Sequence, residues 1–273
     1  QSVQVFGQEV NGLTSSIARM NLYLNGVEDF SIVCADTLEH PAFLDGSHLR
    51  KFDVVLANPP YSIKEWNREK FMNDKWGRNF LGTPPQGRAD YAFIQHILAS
   101  MNDENGRCAI LLPHGILFRN EEKEVRTNLV KSDLLEAIIG LGPNLFYNAP
   151  MEACILFCNK NKARERKNRI TFINAVKEVT RKNAESYLEQ HHIEKILQAF
   201  HSQEDIEQFK LSISTDDIAN NDFDLSIQKY VFIKDAEVEE ISFSSAISRW
   251  LNSQKEVHVQ YNTLIDLLSN DKI

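Results

Sequence analysis

The stretch FDVVLANPPYS, residues 52–62, sets an apolar run directly before Asn58, Pro59, Pro60 and Tyr61. The run reads as a buried strand. Two consecutive prolines end it, because proline lacks a backbone donor and its ring fixes φ. The strand therefore stops on a rigid lip. The groups on that lip with any chemistry are the Asn58 amide, the backbone carbonyls and the Tyr61 ring.

Outward from this lip, strand and helix patterns alternate. VQVFGQEV reads as a strand, LTSSIARMNLYLNGV as a helix and FSIVCADTL as a strand. After the lip, DYAFIQHILASM is a helix opening at Asp90, a good N-cap, and an NGR turn leads into the strand CAILLPHGIL. A helical pattern over residues 121–136 precedes the strands LEAIIGL, EACILFCNK and RITFINA. This order predicts a doubly wound, Rossmann-like α/β sheet over residues 1–175. From about residue 176 polar helical patterns replace strands, so a smaller helical extension is expected over 176–273.

The 273 residues are 42% hydrophobic and 25% charged, enough to bury one large core. No stretch approaches the ~20 apolar residues of a membrane span, and the N-terminal residues lack the basic start and apolar core of a signal peptide. The expected location is the cytoplasm, and Cys34, Cys108, Cys154 and Cys158, with no CxxC pair, read as buried reduced thiols. The formal charge of −8 makes the chain a poor reader of DNA by itself, since DNA binding depends on Lys and Arg displacing counterions from phosphates. If it acts on DNA, a partner should hold the DNA.

In open α/β sheets ligands lie beyond the carboxyl ends of the strands. Three successive strands end there in Glu9, Asp36 and Asn58. Glu9 fits the acidic residue that accepts hydrogen bonds from ribose hydroxyls, and Asp36 would accept from the exocyclic amine of an adenine. Each taken alone also reads as a cap or a solvated loop carboxylate; together with Asn58 they point to a nucleotide-like ligand. An exocyclic amino group is a weak nucleophile because its lone pair is delocalised into the ring. Two acceptors aimed at its N–H bonds return that pair to nitrogen, and the Asn58 side-chain oxygen and the Pro59 carbonyl could supply both, held still by the two prolines, Pro59 and Pro60. Tyr61 would stack on a base swung out of the duplex.

The tetrad after an apolar strand resembles the signature of amino-group methyltransferases that use S-adenosylmethionine, especially those modifying adenine N6 in DNA. Similar tetrads occur in enzymes that methylate a protein glutamine or a base in ribosomal RNA. GRADYAFIQHIL, GRCAILLPHGILFR, IIGLGPNLFYNAPMEACILFCNK, HHIEKILQAFHSQEDIEQF and NNDFDLSIQKYV look like stretches of the modification subunit of type I restriction-modification systems. That likeness covers nearly the whole chain. It implies catalytic roles for Asn58, Pro59, Pro60 and Tyr61, and cofactor contacts from Glu9, Asp36 and Asn58. Its implied partners are double-stranded DNA, a specificity subunit, a restriction subunit and a second modification subunit. The family also carries a glycine-rich cofactor loop after its first methyltransferase strand. Here the early glycines, Gly7 and Gly12, flank a later strand, so the chain is expected to be a fragment lacking that loop and inactive by itself. A non-catalytic assembly fragment is the remaining alternative.

Three further features bear on partners. The His191–His192 pair reads as solvated rather than metal-binding. The long loop between Tyr61 and Asp90 mixes Trp66, Phe71, Trp76 and Phe80 with Lys64, Arg68, Lys70, Lys75, Arg78 and Arg88, which suits either a flipped base and nearby phosphates or a satellite hydrophobic cluster. Ile247, Trp250, Gln254, Val257, Tyr261, Leu264 and Leu268 follow steps of three and four, the seam of a helix that docks on its own domain or, by the family likeness, on the specificity subunit.

Overall fold

A computed structural model describes residues 3–146, 151–182 and 185–232, with residues 247, 250, 251 and 253–255. Its elements run β1 (Val5–Glu9), α1 (Gly12–Leu24), β2 (Phe30–Cys34), β3 (Leu44–Asp45), β4 (His48–Leu49), β5 (Val54–Ala57), α2 (Arg68–Met72), α3 (Asp90–Ser100) and β6 (Arg107–Pro113). They continue through α4 (Lys123–Lys131), β7 (Leu135–Leu141), β8 (Ala153–Asn159), β9 (Arg169–Ala175), β10 (Thr180–Lys182), β11 (Glu185–Tyr187), α5 (Gln190–His201), β12 (Lys210–Ser214), α6 (Thr215–Asn220) and α7 (Ile227–Tyr230).

The main sheet has six strands in the order β12-β9-β7-β8-β6-β5. It is mixed: β5–β6 and β7–β9 are parallel, whereas β8 runs antiparallel between β6 and β7, and β12 antiparallel to β9. Alternation along β9 shows how two faces are covered. Ile170 and Phe172 join the large core with α3, α4, α6 and α7, while Ile173 and Ala175 point to the other face and pack under Ile196 and Ala199 of α5. A sheet clad on both sides explains the long apolar runs of its central strands.

The chain divides into compact units at 1–233 and 234–273. The change of character at residue 176 thus falls inside the first unit, and the segment beyond it is not purely helical. β12 is short and polar in sequence, yet its register sets Leu211 opposite Phe172 and Ile213 opposite Ile170, so its apolar side closes the core. In the second unit Ile247, Trp250 and Gln254 lie on described helical positions, and Ile247 and Trp250 are exposed. The rest of the expected seam, Val257, Tyr261, Leu264 and Leu268, lies outside the described residues.

β1 and β2 form a parallel pair of their own with no ladder to β5. Phe6 links them to the rest, its ring 5.3 Å from Phe43 and 5.5 Å from Phe52. Leu13, Ile17, Met20 and Leu24 of α1 and Val54 and Leu56 of the edge strand β5 are exposed. Cys108, Cys154 and Cys158 are buried free thiols as expected, but Cys34 is exposed, because β2 belongs to this thinner pair. His192 is not solvated either: its Nδ1 accepts the Glu189 N–H at 3.1 Å and completes the capping box of α5.

Candidate active site

β5 pairs on one side with β6, and their last paired residues are Ala57 and Ile110. Asn58, Pro59 and Pro60 follow at once outside regular structure. Pro59 is buried while Asn58 and Pro60 are exposed, so the lip is rooted in the protein with its amide in solvent. Among the described residues nothing donates to the Asn58 side-chain oxygen or the Pro59 carbonyl. Both acceptors remain available. Tyr61 is half-buried; burial pushes its phenol up, with Cys154 and Asp90 adding to the rise, so it is protonated at neutral pH.

The lip ends on Ser62, which holds φ at +52°, a left-handed conformation that costs a non-glycine residue ~1–2 kcal/mol. Asp90 holds it there. Its Oδ1 accepts the Ser62 N–H at 2.9 Å and its Oδ2 lies 3.3 Å from the Ser62 hydroxyl. Asp90 was legible in sequence only as a helix cap; the N-cap is Ala89, and the Asp90 carboxylate turns to the lip instead. His114, at the carboxyl end of the neighbouring strand β6, was also missed. Its Nδ1 is 3.6 Å from Glu152, its Nε2 is buried without a partner, and burial holds its pKa below the usual range.

Glu9 and Asp36 stand at the ends of two neighbouring strands. β1 and β2 are in parallel register, with Glu9 opposite Cys34 and the Ala35 N–H bonded to the Glu9 carbonyl at 3.1 Å. Each carboxylate commits one oxygen locally: Glu9 Oε1 accepts from Asn11 N–H, and Asp36 Oδ1 from the N–H groups of Leu38 and Glu39. The second oxygen of each has no partner among the described residues. Those two free acceptors fit the ribose hydroxyls and adenine amine of a nucleoside, which would donate to them. Glu9 and Asn58 stand on separate sheets, so no strand ladder fixes their separation. Gly7 lies within β1 and Gly12 opens α1; neither forms a glycine-rich turn at a strand's carboxyl end.

The long loop folds mostly as a satellite cluster. Arg78 is buried against Asp74 and donates to the Thr37 and Leu38 carbonyls, with its guanidinium 4.8 Å from the Trp76 ring centre. Trp66 packs on buried Phe71, Arg68 donates to the Pro84 carbonyl, and Lys70 pairs with Glu39. Lys64, Lys75 and Phe80 remain exposed. The sequence could not separate these roles, because arginine and tryptophan suit a buried cluster as well as they suit a phosphate and a flipped base respectively.

This sheet, with the Asn-Pro-Pro-Tyr lip on a strand's carboxyl end, is the fold of S-adenosylmethionine-dependent methyltransferases. The chain belongs to the N-6 DNA methylase family, which matches it over residues 1–239. The type I restriction enzyme MjaVII methylase subunit of Methanocaldococcus jannaschii is 33% identical over 269 residues, covering 93% of this chain and 45% of that protein. The HindI methylase subunit of Haemophilus influenzae is 32% identical over 270 residues, covering 93% of this chain and 58% of its own. The crystal structure of a type I restriction-modification methyltransferase subunit from Streptococcus thermophilus superposes with a TM-score of 0.78 at 37% identity, over 85% of this chain and 49% of that one. The chain thus spans about half the length of the curated relatives it matches.

Proposed function

We propose that this chain carries the catalytic machinery of a type I modification subunit, which places a methyl group on N6 of an adenine flipped from double-stranded DNA. The observation that carries this reading is the pair of uncommitted acceptors, Asn58 and Pro59, on a lip braced from behind. S-adenosylmethionine, when bound, supplies the methyl group from a sulfonium centre. Asn58 and the Pro59 carbonyl accept the two N–H bonds of the target amine and draw its lone pair onto nitrogen. Tyr61 stacks on the base. Glu9 and Asp36 hold the adenosine half of the cofactor. No residue is assigned to its methionine half, because no described glycine turn faces it.

The test is direct. The complete subunit, assembled with its specificity partner, is incubated with methyl-labelled cofactor and DNA, and the DNA is digested to nucleosides. Label in N6-methyldeoxyadenosine is expected. Label on protein glutamine or in added RNA, with none in DNA, would replace this reading.

The charge of −8 suits an assembly in which a specificity subunit reads the DNA, with a second modification subunit and a restriction subunit completing it. We assign the C-terminal helix to that docking, on its seam pattern and on exposed Trp250. Trp250→Glu should abolish co-purification with the specificity subunit while changing the melting temperature by no more than a few degrees. Retained co-purification would remove the helix from the interface. No helix among the described residues is long and apolar enough to cross a membrane, and a cytoplasmic location is part of this proposal.

A further inference from the structure

Behind the lip lies a buried group of charges that the reaction as described does not use. Asp90 is fully buried, and its Oδ2 is 3.5 Å from Nη1 of Arg119. The same nitrogen is 3.6 Å from Oε2 of Glu122, which is also fully buried and whose two carboxylate oxygens have no hydrogen-bond partner. Burial, and then Asp90, push Glu122 up to about 7, against the pull of Arg119, Arg88 and Arg126. Much of the Glu122 population is therefore neutral near pH 7, which leaves Arg119 to Asp90. Arg119 reaches this position by lying flat over Gly115: a Cβ there would stand 2.5 Å from its guanidinium nitrogens. Gly115 follows His114 directly beyond the end of β6, the strand that pairs with β5. Arg126 fixes the backbone of this turn, donating to the Arg119 carbonyl at 2.8 Å and to the Phe223 carbonyl at 2.9 Å.

We infer that Asp90, with Arg119 seated over Gly115 as its counter-charge, is a positioning residue that holds the Asn-Pro-Pro-Tyr lip in its reactive shape through Ser62. Three observations converge on it. Ser62 is a non-glycine residue at positive φ one position beyond the tetrad, and such strain persists only where the surroundings enforce it. Both oxygens of Asp90 face Ser62. Neither Asp90 nor Arg119 touches the reacting atoms assigned above, so their contribution passes through the backbone of residue 62. Acceptors that act by preorganisation lose their effect when displaced, and this clamp fixes the end of the segment carrying them.

The inference rests on the functional reading above, and its test separates the two. The first readout needs no activity. Amide hydrogen exchange at Ser62, measured on this chain, should be slow in the parent and much faster in Asp90→Ala. The second uses the complete subunit with its specificity partner and DNA. There Asp90→Ala should lower single-turnover transfer by roughly 10- to 100-fold, as misplacement of reacting groups does, with cofactor and DNA affinity unchanged. Asp90→Asn, which keeps an acceptor for the Ser62 N–H, should recover part of the loss. A second pair of variants leaves the buried charges alone. Ser62→Gly adopts positive φ freely and should transfer at nearly the parent rate, whereas Ser62→Val resists it and should behave like Asp90→Ala. Unchanged exchange at Ser62 in Asp90→Ala, or equal rates for Ser62→Gly and Ser62→Val, would overturn the clamp with the functional reading intact. A parent complex that methylates no adenine would overturn both.

Discussion

Asn58→Ala in the complete subunit is expected to slow methyl transfer by roughly 10²- to 10³-fold, the ~2.7–4 kcal/mol typical of losing one preorganised hydrogen-bonding group. The magnitude follows from the geometry. The Asn58 side-chain oxygen has no partner among the described residues, so removing it frees no buried donor and should leave the fold intact. Cofactor affinity should barely move, because the adenosine contacts proposed for Glu9 and Asp36 stand on a separate strand pair. Tyr61→Ala should behave differently: on the proposed role it removes a stacking platform, a contact typically worth ~1–3 kcal/mol, and should weaken retention of the flipped base more than the chemical step. A fluorescent base analogue at the target position reports the first effect and single-turnover transfer the second. Near-parental transfer by Asn58→Ala would remove it from the catalytic group.

How far these residues were legible depends on how local their signals are. The lip was readable because strand, double proline and amide are consecutive, and the constraint that proline places on the backbone needs no tertiary context. Glu9 and Asp36 were readable from their place after apolar runs. The direction of β8 was not, since an apolar run in a central strand reads alike in either direction. β12 was missed because its five residues carry two apolar side chains, and what makes them a strand is the partner β9, 37 residues earlier at the Ile173–Lys210 pair. Asp90, Arg119 and Glu122 were missed as a group for the same reason. Asp90 opens α3 while Arg119 and Glu122 share one turn some thirty residues later, and they meet only behind the lip; each alone is an ordinary polar residue at a helix end or turn. The signal that could have found them is Gly115 directly after His114, a glycine where a strand's carboxyl end must admit a side chain from elsewhere.

The largest effect on stability is expected at Asp74. Its carboxylate and the Arg78 guanidinium are 2% and 1% exposed, joined at 2.7 Å, with a further bond from Arg78 Nε and one from the Arg78 N–H. Burial alone would raise the Asp74 pKa; the hydrogen bonds and charge of Arg78 outweigh it and hold the carboxyl below the usual range. Asp74→Ala leaves that guanidinium buried with only neutral partners, the Thr37 and Leu38 carbonyls and His96. His96 cannot help, since burial and Arg78 push it down to about 3 and keep it neutral. Stranding one charge of a buried pair costs ~3–5 kcal/mol. At ~2–4 °C per kcal/mol for a domain of this size, the melting temperature should fall by roughly 10 °C at pH 7. Because the folded-state pKa of Asp74 is depressed, its contribution is present above the ordinary carboxylate value and fades as pH falls through the folded value. The gap between parent and variant should therefore narrow in strong acid. Asp74→Ala combined with Arg78→Met removes both charges and should recover much of the loss, since apolar replacement of a whole buried pair is often neutral. The consequence reaches the site: Arg78 ties the loop to the carbonyls of Thr37 and Leu38, immediately after Asp36, so the single variant should also weaken whatever nucleoside contact Asp36 makes. Thermal melts of the parent, single and double variants decide it. A single variant that melts with the parent at pH 7 would mean that Arg78 finds solvent or another anion, and that the pair does not anchor the loop.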